Sequence, residues 1–110
     1  MLIFNCPVRT TADIIDGKWK PLIIQSLKNG PMRFGDLRRN VPEPAAKVLT
    51  AQLRELEKDR IVQRKILAGK PLGVRYSLTR YGRTLVPVLA RMAIWGKKHQ
   101  RLTREAPADL

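Results

Sequence analysis

Between Met32 and Thr79 the chain switches from helical to strand periodicity, and that switch limits what it can fold into. Phe34, Leu37 and Val41 mark one face of a short helix that Pro42 and Pro44 stop. From about Ala45 to Lys58, Ala45, Leu49, Leu53 and Leu56 fall in one narrow stripe at about 100° per residue, which predicts core positions. Lys47, Ala51, Arg54 and Lys58 take the opposite face, with Thr50 on its shoulder. Then Ile61–Leu67 and Val74–Thr79, rich in β-branched and apolar residues, flank the turn-forming Ala68-Gly69-Lys70-Pro71-Leu72-Gly73 and predict a hairpin. Within it Val74, Tyr76 and Leu78 point inward while Arg75, Ser77 and Thr79 point out. Met32-Arg33-Phe34 is too short for a helix and suits a small strand. A helix pair followed by a basic ribbon has the order of a winged helix-turn-helix. The expected fold class is therefore mostly α with a small β-hairpin wing.

The flanking segments read as further helices. Thr10 or Thr11 can cap a first helix containing Ala12, Ile14 and Ile15, with Gly17 as its stop. A second helix has Pro21 in its first turn, carries Trp19, Leu22, Ile23 and Leu27 at helical spacing, and ends at Asn29-Gly30-Pro31. Thr79 can cap a last helix. From Leu85 to Trp95 it is apolar nearly all round, with Arg91 its only charge and Pro87 near its start. One small core cannot cover such a helix, so a second copy of the chain is expected on it. Leu85, Val88, Leu89, Met92 and Trp95 are the candidate dimerisation residues. The chain divides into a domain at 1–98 and a basic, flexible C-terminal tail at 99–110, without internal repeats or low-complexity segments.

Charge narrows the partner. In 110 residues, 22 Lys+Arg oppose 9 Asp+Glu, for a formal net charge of +13, while 44% hydrophobic residues are enough to fold. The basic residues run from Arg9 to Arg104 rather than forming one tail. A polyanionic partner follows: DNA, RNA or, less favourably, an anionic membrane. No run has the length of a spanning helix, and Met1–Cys6 lacks the makings of a signal peptide. The single Cys6 excludes an internal disulfide and fits a reducing cytoplasm. One His and one Cys make no zinc set, and no paired carboxylates lie near a nucleophile. Hence no catalytic residues, metal or cofactor are expected. His99 reads as an exposed side chain, and Gly69 and Gly73 as turn residues rather than a phosphate cradle.

In a winged helix-turn-helix the second helix of the pair enters the major groove. Lys47, Val48, Thr50 and Ala51 are placed to meet base edges, Lys47 by donating to guanine, Ala51 and the Thr50 methyl by touching a thymine methyl. Arg54 and Lys58 lie deeper along the helix and suit phosphates, as do Arg38 and Arg39 at the end of the bracing helix. Arg64, Lys65, Lys70 and Arg75 decorate the hairpin, whose tip can reach a minor groove. Any one of these cations taken alone is equally well a solvated surface residue. The rival class is a small basic RNA-binding or nucleoid-architectural protein. Stacking on single-stranded RNA favours exposed aromatics, and only 5% of the chain is aromatic.

The motifs also carry a resemblance. Cys6-Pro7-Val8, Gly17-Lys18-Trp19-Lys20, Gly30-Pro31-Met32-Arg33-Phe34, Leu37-Arg38-Arg39, Leu49-Thr50, Leu53-Arg54-Glu55-Leu56-Glu57 and Tyr76-Ser77-Leu78-Thr79 stand in the order found in HxlR-type bacterial transcription regulators. With Gly82, Leu85, Pro87 and Trp95-Gly96, the chain resembles that family from Cys6 to Gly96. The resemblance implies a MarR-like winged helix that acts as a homodimer through its N- and C-terminal helices. It also implies a palindromic double-stranded DNA operator and a bacterial or archaeal cytoplasm. Two positions depart from the pattern. Pro44-Ala45-Ala46 stands where the family commonly opens the recognition helix with Ser, and Arg60 stands where a Gly usually follows that helix. Arg60 is thus expected to be left-handed, unless the helix ends differently.

Some members of that family sense oxidants, quinones or aldehydes through the cysteine matching Cys6. Here Cys6 precedes a helix N-terminus and lies near Arg9, an electropositive setting of the kind reactive cysteines occupy. The competing expectation is a buried, inert thiol packing the N-terminal arm. A small-molecule pocket between subunits around Trp19, Met92 and Trp95 is a further alternative, though packing accounts for those residues better.

Overall fold

The computed structural model describes residues 6–69 and 73–105. Each element begins or ends where local chemistry demands it. Helix α1 (Pro7–Ile14) opens with proline at its first position, where no backbone N–H is needed, and has Cys6 as its N-cap. Thr10 and Thr11 do not cap it. They lie inside the helix and donate their hydroxyls back to the carbonyls of Cys6 and Pro7, at 3.3 and 3.1 Å. Helix α2 (Lys20–Leu27) follows and buries Ile23, Ile24 and Leu27. Strand β1 (Met32–Arg33) leads into α3 (Phe34–Asn40), which ends before Pro42.

Helix α4 (Ala46–Lys58) keeps Leu49, Leu53 and Leu56 in the core. Ala45, expected in the same stripe, is instead the exposed N-cap with extended backbone. Its neighbour Pro44 is buried and fixes the entry of the chain. At the other end Arg60 does take a left-handed φ of 65°. The Ile61 N–H then reaches the Leu56 carbonyl at 2.9 Å and the Arg60 N–H reaches Glu57 at 3.0 Å. This is the double closure of a Schellman turn, with buried Ile61 and Leu56 supplying its apolar contact.

Strands β2 (Val62–Leu67) and β3 (Gly73–Leu78) form the hairpin, and β1 joins it in the antiparallel order β1-β3-β2. A 3-10 turn (Gly82–Leu85) then feeds α5 (Val86–Glu105). Thr79 ties these parts together. Its hydroxyl lies 2.6 Å from the Arg60 carbonyl, to which it donates, and accepts the Gly82 N–H at 2.8 Å. So Thr79 satisfies the first N–H of the 3-10 turn that leads into the last helix, although Tyr81 is the N-cap residue of that turn. Gly82 is buried against the Ile61 carbonyl; a Cβ there would stand 2.1 Å from that oxygen. Only glycine lets the two backbones meet.

The core gathers α2, α3, α4, the hairpin and the start of α5. Leu89, assigned from sequence to a subunit contact, is 3% exposed and belongs to this core. Leu85 is half-buried against it. Beyond Leu89 the helix leaves the body, and every residue from Ala90 to Trp95 is exposed. Helix α5 also continues to Glu105, so residues 99–105, read from sequence as tail, are helical. Among the described residues no helix is long and apolar enough to cross a membrane.

Candidate nucleic-acid interface

The helix pair α3–α4 presents its cations outward. Lys47, Ala51, Arg54 and Lys58 are all exposed and share one stripe of α4, and Val48 stands beside them, exposed. Thr50 is half-buried because it turns toward the hairpin. Among the described residues no side chain caps the first turn of α4. Arg38 and Arg39 are exposed at the end of α3, with Arg39 engaged by Asp36 one turn earlier.

The strand register divides the wing cations between the two faces of the hairpin. Arg64 lies directly opposite Tyr76, and Val62 opposite Leu78. Tyr76, Leu78 and Val62 are buried, so Arg64 shares the face of the hairpin that packs on α4. Lys65 and Arg75 face each other on the other side, and Arg33 of β1 completes a row of cations across all three strands. Like charges directly opposite destabilise a sheet, so this row is there at some cost in stability. Lys70 lies outside the described residues.

Where Arg64 meets α4 there is a cavity of about 320 Å³ lined by Thr50, Arg54, Glu57, Arg64 and Tyr76. Glu57 Oε2 lies 3.9 Å from Arg64 Nε. Burial pushes the Tyr76 phenol above the ordinary tyrosine range; Arg64 pulls it back down, Glu57 adds to the rise and Arg54 again opposes it. The hydroxyl therefore keeps its proton at neutral pH.

One residue that positions α4 stands outside the candidate site residues. Lys20 is only 5% exposed and donates from Nζ to Glu55 Oε1 at 2.7 Å, tying α2 to the middle of α4. The available signal was a lysine opening the otherwise apolar Lys20-Pro21-Leu22-Ile23-Ile24 run. Cys6 is exposed rather than packed away, and its carbonyl accepts the Thr10 N–H at 3.0 Å. Trp95 and Met92 are 67% and 50% exposed on α5, whereas Trp19 packs against the core. His99 is exposed, as expected, and stacks on Trp95 with ring centroids 5.1 Å apart.

These features agree with comparisons across known proteins. The model of the HxlR-like helix-turn-helix family matches residues 14–104. The uncharacterized HTH-type transcriptional regulator YdeP of Bacillus subtilis (strain 168) is 46% identical over 96 residues, covering 87% of this chain and 75% of YdeP. The redox regulator HypR in its reduced form is 41% identical, superposes with a TM-score of 0.84, and covers 91% of this chain and 99% of its own. The reduced transcriptional regulator YodB from B. subtilis is 33% identical with a TM-score of 0.76, covering 86% of this chain and 94% of its own. With a winged-helix architecture, an exposed cationic helix face and a family match over nearly all of its length, the chain belongs to the HxlR-like helix-turn-helix family of transcriptional regulators.

Proposed function

We propose that the protein is a homodimeric, sequence-specific regulator that places α4 of each copy in successive major grooves of a palindromic operator. The observation that carries this reading is the exposed stripe Lys47, Ala51, Arg54 and Lys58 on a helix whose opposite side is anchored in the core. Lys47, Val48, Ala51 and the Thr50 methyl meet base edges, and Arg54 and Lys58 meet phosphates. Arg38 and Arg39 extend that footprint, and Lys65, Lys70 and Arg75 on the wing add affinity that does not depend on sequence. Val88, Met92 and Trp95, exposed on α5, supply the apolar contact between copies.

Selection of duplexes from a random pool, followed by titration of the recovered duplex against salt, tests this. Binding should recover one palindromic sequence and weaken steeply as salt rises. Lys47→Ala should relax base preference, whereas Arg54→Ala should weaken selected and random duplexes alike. Equal affinity for selected and random DNA, or a preference for single-stranded RNA, would instead favour the architectural or RNA-binding alternative.

Cys6 is the proposed sensor. It is exposed at the start of α1, and the similar protein HypR is described as a redox regulator with reduced and oxidized structures. Oxidants or electrophiles acting on its thiol would change the subunit arrangement and hence operator affinity. A Cys6→Ser variant whose DNA binding responds to diamide or a quinone as the parent does would remove this assignment.

A further inference from the structure

Resting on the DNA-binding reading above, we propose that the notch between α4 and the hairpin is a seat for a single phosphodiester of the DNA backbone. The guanidiniums of Arg54 and Arg64 and the hydroxyls of Thr50 and Tyr76 would hold it. Thr50, Arg54 and Glu57 follow one another at four- and three-residue spacing and line one flank of α4. Arg64 and Tyr76 are opposed across β2 and β3 on the hairpin face turned toward that flank. The cavity between them, about 320 Å³, has room for a phosphate group and its waters.

Its chemistry favours an oxyanion. Arg side chains offer only donors, and the two hydroxyls can donate as well. Among the described residues of the lining Glu57 is the one acidic group, and at 3.9 Å from Arg64 Nε it is beyond hydrogen-bond reach. It orients the guanidinium without saturating it. Two guanidiniums against one carboxylate leave a single positive charge, which matches the single negative charge of a phosphodiester. A free phosphate monoester, carrying close to two, fits less well. Position points the same way. A helix in the major groove and a wing aimed at the adjacent minor groove must straddle the backbone that separates the grooves.

The test uses the full-length protein and the duplex recovered from the random pool, with backbone phosphates replaced one at a time by neutral methylphosphonate. The parent should lose on the order of tenfold in affinity at one position per half-site beyond the phosphates that Arg38, Arg39 and Lys58 meet. The Arg54→Gln/Arg64→Gln double variant should bind more weakly overall but lose less than about twofold more at that same position. Its salt dependence should shrink by about 0.9 per half-site, since both guanidiniums neutralise one phosphate; two separate contacts would remove about 1.8. Tyr76→Phe, which keeps the buried ring, should weaken binding a few-fold with an unchanged melting temperature.

A scan in which the double variant feels every replacement as the parent does, or the larger change in salt dependence, overturns the seat and leaves operator binding standing. A flat scan accompanied by selective stabilisation of the parent by millimolar inorganic phosphate assigns the notch to a free anion, and also overturns it. If the parent binds no duplex at all, the regulatory reading itself fails, and the seat with it.

Discussion

Arg60 occupies a backbone conformation that glycine adopts freely and that costs an L-residue about 1–2 kcal/mol. The Schellman closure and the burial of Ile61 hold it there. Glycine at this position relieves the strain but adds entropy to the unfolded chain, an offset of roughly 0.4–1 kcal/mol. Arg60→Gly is therefore expected to raise stability by about 0.5–1 kcal/mol, read as a higher urea midpoint with an unchanged slope. Lys20 poses the opposite case. Its ammonium is buried while Glu55, its partner, is 57% exposed at the side chain. Glu55→Ala strands the charge and should destabilise by about 1–2 kcal/mol, less than for a fully buried pair because solvent screens the exposed side. Lys20→Met removes the charge together with its need for a partner and should cost less. A Lys20→Met variant less stable than Glu55→Ala would show that the pair itself, rather than the orphaned ammonium, sets the balance. The departure at Arg60 was visible in the sequence because a left-handed helix stop is a local demand. The Lys20 contact was not, because its partner lies 35 residues away.

Helix α4 is locked at one end and open at the other. Its C-terminus closes through Arg60 and Ile61, but Ala45 provides no side-chain bond to the first turn. Ala45→Ser restores an acceptor for one orphan N–H and should stabilise by about 1 kcal/mol, seen as a rise in melting temperature. An Ala45→Ser variant no more stable than the parent would mean that buried Pro44 holds the entry away from capping geometry. The hairpin illustrates what strand pattern can and cannot convey. Alternation correctly put Tyr76 and Leu78 inward. It also set Arg75 outward, but on β2 Val62 is buried whereas Gln63 through Ile66 are exposed, so no alternation of polarity there marks the two faces. Only the pairing of Arg64 with Tyr76 separates it from Lys65 and places it in the notch.

At the scale of the whole molecule, the chain buries α5 only near its start, at Leu89, and leaves the helix bare from Ala90 to Trp95. Leu89 anchors the helix, while Val88, Met92, Ile94, Trp95 and Leu102 are exposed on it. A second copy is the expected cover. Met92→Glu/Trp95→Glu should convert a dimer to a monomer in sedimentation velocity, with the helical circular dichroism retained and operator affinity lost. A parent that sediments as a monomer at all concentrations would end the dimeric reading. From the sequence alone came the order of elements, the short β1, the stops at Pro42 and after Lys58, and the cationic side of α4, because capping, periodicity and turn chemistry act over a few residues. Tertiary structure alone decided that Leu89 is core, that Gly82 seats on the Ile61 carbonyl, that Lys20 braces α4, and that Arg64 lines one notch with Arg54 and Tyr76. Each of these depends on two distant segments meeting, and the burial or charge of a side chain is set by the partner that the fold brings to it.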